Sequence, residues 1–262
     1  MSPEIPLEAH LRAQRDAGRK LFLPYVTGGI TGGWTDVLLA LAAAGADAIE
    51  VGIPFSDPVM DGPTIQEASA TALARGTTPG SVFDDLRRVK AEVEVPLVAM
   101  TYCNVPFRMG ARRFAAEAVE AGISGVILPD VPMEELHEWE PAGRGAGLET
   151  VLLVGPITPD DRLEQVCRRS QGFVYGVNVM GVTGERVSLG DASAVLAGRL
   201  KEATDLPVIM GFGVSTPEQA QAVGGPADGV IVASALMRMV LDGADASGVG
   251  DAAATLRAAL DG

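Results

Sequence analysis

The chain has 262 residues, a formal net charge of −14, 47% hydrophobic residues and 32 glycines. That composition supports a large buried core and argues against disorder. A uniformly acidic surface excludes nucleic acid and anionic lipid as partners, so any phosphate the chain binds must be neutralised locally, by backbone N–H groups if no basic side chain is near.

The N-terminal stretch MSPEIPLEAHLRAQRDAG (1–18) is charged and lacks the apolar core of a signal segment. No apolar run is long enough for a membrane span, so the expected location is cytoplasmic. The first predicted element is a helix over 6–18. Eight apolar runs follow, at 21–29, 48–55, 96–104, 125–130, 149–156, 173–181, 207–213 and 229–235. They are nearly continuous rather than alternating, as expected of parallel strands covered on both faces. Amphipathic segments such as 34–45, 110–122 and 191–203 lie between them, and glycine closes several helices just before the next run. Eight strand–helix alternations without a linker predict one domain over 1–262, a single (β/α)8 TIM barrel of the α/β class. The extra N-terminal helix would cap its floor. Two connections read as long, 54–80 after the second strand and 179–191 after the sixth. Both fall at the strand ends where barrel active sites form.

Glu50 stands inside the apolar run AIEVGIPF (48–55). Desolvating a carboxylate costs several kcal/mol unless it is paired or protonated, so this residue is either structurally neutralised or a proton carrier at a barrel mouth. Asp61, in SDPVMDGPTIQ (56–66), reads alone as a turn residue. Beside Glu50 it supplies a second carboxylate that could take the opposite acid–base role. Strand 7 ends in Gly211, Phe212 and Gly213, followed by a Ser/Thr cap with proline at the first helical position. Strand 8 ends in Ala233, Ser234 and Ala235. Exposed N–H groups after strands 7 and 8 form a phosphate site in many barrels. GVTGE (181–185) suits a hinged lid or a plain surface loop. His10 and His137 read as surface residues, and Cys103 and Cys167, outside any CxxC pair, as small packing residues in a reducing compartment. No metal-ligand cluster, Ser-His-Asp set or Walker pattern is evident.

The segment AIEVGIPFSDPVMDGPTIQ (48–66), with LPYVTGG (23–29), TYCNVPF (101–107), LPDVPMEE (128–135), VYGVNVMGVTG (174–184) and GFGVSTPEQ (211–219), resembles the tryptophan synthase alpha chain family nearly end to end. The resemblance implies cleavage of indole-3-glycerol phosphate to indole and glyceraldehyde 3-phosphate, with Glu50 and Asp61 as the catalytic pair. Tyr102 and Tyr175 match pocket residues, and Gly184, Gly213 and Ser234 match phosphate-holding positions. Thr183 matches a lid threonine that approaches Asp61. Asp57, Asn104, Phe107 and Pro132 match positions near a beta subunit, with an alpha2beta2 assembly implied. This chain would need no cofactor, pyridoxal phosphate belonging to that partner. The sequence departs from the family at Val179, where arginine is frequent, at Ala233, where glycine is usual, and in a shorter sixth loop. The altered loop motivates an alternative, a free-standing lyase releasing indole for secondary metabolism. A non-catalytic activating subunit and another phosphate-binding barrel isomerase are the further alternatives.

Overall fold

The computed structural model describes residues 5–177, 189–211 and 213–262. Eight parallel strands close into a barrel in sequence order: β1 Leu21–Thr27, β2 Ile49–Gly52, β3 Leu97–Met100, β4 Ile123–Ile127, β5 Glu149–Val154, β6 Val174–Val177, β7 Val208–Gly211 and β8 Gly229–Val232. β8 pairs back onto β1, with Leu21 opposite Gly229 and Leu23 opposite Ile231. The strands are buried almost throughout, which explains their unbroken apolar runs.

Alternate residues divide the core. Leu21, Leu23, Val98, Val151, Ile209 and Ile231 fill the barrel, whereas Phe22, Ile49, Val51 and Val126 meet the surrounding helices. The predicted leading helix is α1 (Leu7–Asp16), and it does plug the floor. Leu7 and Leu11 are fully buried in the interior cluster. A Cβ on Gly125 of β4 would stand 2.6 Å from Leu7 Cδ2, so glycine there makes room for the plug. Three polar contacts fix it: the Glu8 N–H donates to Glu149 Oε2 (2.8 Å), Ser124 Oγ donates to the Ile5 carbonyl (2.7 Å), and Arg12 reaches the Asp205 carbonyl (2.9 Å).

Beyond the barrel floor the chain alternates as expected, through α2 (Trp34–Ala43), α3 (Pro63–Ala74), α4 (Pro79–Val89), α5 (Asn104–Met109), α6 (Ala111–Glu120), α7 (Glu140–Ala146), α8 (Asp160–Arg169), α9 (Leu189–Ala203), α10 (Pro217–Gly224), α11 (Ser234–Leu241) and α12 (Ala246–Asp261). α10 opens as predicted, with Thr216 accepting the Gln219 N–H and proline next in line. Four readings need correction. The stretch 54–80 is not one loop, because α3 occupies its middle and shortens the loop proper to about ten residues between β2 and α3. The run 96–104 ends as strand at Met100, and Asn104 already opens α5. Cys167 packs in the core as expected, but Cys103 is partly exposed at the mouth. His137 is exposed, whereas His10 is half-buried on α1. Of the second long connection and the GVTGE loop, residues 178–188 lie outside the described residues.

Candidate active site

β2 carries Glu50 into the barrel mouth. Its register neighbours are Tyr25 on β1 and Val98 on β3. The side chain is 2% exposed, and among the described residues its Oε2 finds no hydrogen-bond partner. Burial, with the nearby Asp61 charge second, pushes its pKa from 4.5 up to about 8. Glu50 therefore holds its proton at neutral pH.

Asp61 arrives from the loop after β2, just before the first turn of α3. Its N–H donates to the Pro58 carbonyl (3.0 Å), and the Asp61 carbonyl accepts from Gln66 Nε2 (2.9 Å). Burial raises its pKa to about 6, and the Tyr102 hydroxyl opposes that rise by hydrogen-bonding the carboxylate. Tyr102 also accepts the Met60 N–H (2.8 Å) and stacks on Phe55 at 5.1 Å between ring centres. One tyrosine thus pins the loop and steadies the ionised form of its carboxylate. With values near 8 and 6, the pair at pH 7 consists of one protonated acid and one anion, the division that acid–base chemistry at a single site requires.

Both carboxyl groups line one cleft with about 570 Å³ of empty space, part of it open to solvent. Ile65, Met100, Val214 and Ile231 provide apolar walls suited to an aromatic ring, and Tyr25 and Tyr175 provide phenols. Tyr175 on β6 is buried, and burial first, then Glu50 and Asp61, hold its phenol well above the ordinary range. Gly213, Ala233 and Ser234 also line the cleft. Gly213 has φ +86°, a backbone that side-chain-bearing residues rarely adopt. Ser234 opens α11, whose first-turn N–H groups have no helical acceptor and so are free to meet an anion. No lysine or arginine is among the described lining residues. Among the described residues no group of three His, Cys, Asp or Glu is placed to hold a metal ion.

Glu50, Asp61, Tyr175, Gly213, Ala233 and Ser234 are therefore brought together. Tyr102 stands behind Asp61. Gly211 lies beneath Tyr175: a Cβ there would fall 2.4 Å from the ring, so its contribution is space for the phenol. Thr183, Gly184, Phe212 and the departure at Val179 fall outside the described residues. Asp57, Asn104, Phe107 and Pro132 are all exposed, on segments that follow β2, β3 and β4 at the same end of the barrel as the cleft. Sequence reading missed Tyr25, Ile65, Met100, Val214 and Ile231. The available signal was strand phase, since Tyr25 sits in step with Glu50.

The tryptophan synthase alpha chain family model matches residues 11–258. The chain belongs to this family. It is 44% identical to the tryptophan synthase alpha chain of Halorhodospira halophila over 261 residues, covering 95% of this chain and 94% of that one. The alpha chain of Prochlorococcus marinus is also 44% identical, over 224 residues, covering 84% and 82%. Among solved structures, a tryptophan synthase of Mycobacterium tuberculosis superposes with TM-score 0.88 at 33% identity, covering 99% of both chains. The alpha chain of Legionella pneumophila gives 0.87 at 32%, covering 97% of both. The enzyme is thus a carbon–carbon lyase of tryptophan biosynthesis, cleaving indole-3-glycerol phosphate by a retro-aldol reaction. These relatives give no support to a free-standing lyase, and membership of the family displaces the activator and isomerase readings. Among the described residues no helix is long and apolar enough to cross a membrane.

Proposed function

We propose that Glu50 is the proton carrier of the retro-aldol cleavage and Asp61 its electrostatic partner. Cleavage has three demands: a proton on indole C3, an anion beside the ring nitrogen as positive charge develops there, and a base for the side-chain hydroxyl. Protonated Glu50 gives its proton to C3, breaking the ring's enamine double bond and leaving a cationic indolenine. Ionised Asp61 accepts a hydrogen bond from the ring N–H and stabilises that cation. The Glu50 carboxylate then takes the proton of the hydroxyl on the carbon attached to C3. The C–C bond breaks, its electron pair returns to the ring, and the aldehyde of glyceraldehyde 3-phosphate forms. Glu50 ends protonated as it began, so the cycle needs no cofactor in this chain.

The observation that carries this reading is the joint presence of both carboxyls in one cleft, with Glu50 buried and without a partner for its Oε2 among the described residues. The walls named above would hold the indole, and Gly213, Ser234 and the start of α11 the phosphate, with Thr183 and Gly184 assigned to the lid and Phe212 to the pocket by resemblance. The structural relatives include whole tryptophan synthases, which supports a beta subunit as partner. Asp57, Asn104, Phe107 and Pro132 are assigned to that contact, an alpha2beta2 assembly is the expected form, and pyridoxal phosphate chemistry would reside in the partner. A place in amino-acid biosynthesis supports a cytoplasmic setting.

The test is indole release by Glu50→Gln and Asp61→Asn, with and without beta subunit. Removing a general acid–base costs about 10²- to 10⁴-fold in rate. Near-wild-type turnover by the glutamine variant would overturn the assignment.

A further inference from the structure

The cleavage makes one further demand on the site. Once Glu50 has delivered its proton, a carboxylate remains in a buried site, and a buried carboxylate needs a donor. Its Oε2 has none among the described residues. The groups facing Glu50 are Tyr25 from β1, Asp61 from the loop after β2, and Tyr175 from β6, with Tyr102 beyond Asp61. Asp61 is an acceptor, and the Tyr102 hydroxyl is committed to Asp61 and the Met60 N–H.

Tyr25, unlike Tyr175 on β6, stands on a strand paired with β2. It is the register partner of Glu50, so the two side chains leave adjacent strands on the same face. Its hydroxyl lies directly over Gly52, the next residue on that face of β2: a Cβ there would stand 1.8 Å from the phenol oxygen. Glycine at 52 is what allows the phenol to reach across β1 onto β2, above Glu50. The phenol oxygen accepts from Thr27 Oγ1 (3.2 Å), the only hydrogen bond it makes among the described residues. With its lone pair so engaged, its own hydrogen is left for an acceptor on the cleft side.

We propose that Tyr25 is a positioning residue, oriented by Thr27, whose O–H hydrogen-bonds the Glu50 carboxylate that forms during the reaction and holds it over the substrate hydroxyl. The inference rests on Glu50 being the proton carrier. Burial keeps the phenol protonated throughout the working range, so it remains a donor at every stage.

A hydrogen bond to a charged acceptor is the strong kind, and its removal from one ionisation state moves a pKa. In the assembled enzyme, Tyr25→Phe should lower kcat about tenfold, leave KM within about twofold, and move the alkaline limb of the kcat profile up by about one pH unit. Thr27→Val should move the limb in the same direction by less, and serves if the phenylalanine variant folds poorly. An alkaline limb that stays in place in both variants, or a change confined to KM, overturns the proposal and leaves Tyr25 as packing. If instead Glu50→Gln itself retains turnover, the proton-carrier assignment has failed, and the two failures are told apart by that variant.

Discussion

Replacing Glu50 by glutamine should cost the enzyme its turnover and make it more stable at neutral pH. The carboxyl is 2% exposed, with a pKa near 8 in the folded chain against an ordinary 4.5. Below pH 4.5 the folded and unfolded chains both hold the proton, and the group's full contribution is present. Between 4.5 and about 8 the unfolded chain releases it and the folded chain does not. Stability then falls by about 1.4 kcal/mol per pH unit, and the loss levels off once pH has passed the folded-state value. Over that window the loss is about 5 kcal/mol, and about 3 kcal/mol of it has accrued at pH 7. Glutamine is nearly isosteric, polar and unable to ionise, so it keeps the packing and removes only this dependence. Urea unfolding of both proteins at pH 4.5, 7 and 8.5 reads the difference directly. The gap should be small at the lowest pH and widen in favour of glutamine at each step. A gap that does not change with pH would falsify the claim that Glu50 is held protonated by burial.

Three further perturbations probe other parts of the account. Leu7→Ala removes the tip of the floor plug from a fully buried site and should destabilise the fold by about 2–5 kcal/mol in thermal or urea unfolding, with little change in KM. Gly213→Ala forces a side chain onto a φ of +86° beside the assigned phosphate site, and should cost about 1–2 kcal/mol of stability and raise KM for indole-3-glycerol phosphate. Tyr102→Phe removes the acceptor of the Met60 N–H and the hydrogen bond that lowers the Asp61 pKa, so the acid limb of the rate profile should move up from about 6; an unmoved acid limb would detach Tyr102 from Asp61.

Strand positions were legible because burial on both faces demands unbroken apolar runs, and few other elements do. Glu50 was legible for the same reason, as a charge where the run forbids one. Tyr25 was not, because tyrosine in an apolar strand looks like core until the register with Glu50 and the gap at Gly52 are known. Helix α3 was hidden behind Asp-Gly-Pro, which reads as a turn although Pro63 is the first residue of the helix. The third run outlasts its strand because pairing continues one residue past Met100, where Thr101 still donates its N–H to the Ile127 carbonyl, before Tyr102 turns to the loop after β2. The packing of Gly211 under Tyr175 was not legible, since sequence does not show which side chain a glycine makes room for.

The pH dependence of single-turnover indole release, with the beta subunit present throughout, bears most directly on the central pairing. A neutral acid next to a charged one predicts a bell, rising near pH 6 as the aspartate ionises and falling near pH 8 as the glutamate loses its proton. A rate that stays level from pH 5 to 9 would mean that the two carboxyls do not divide the work in this way.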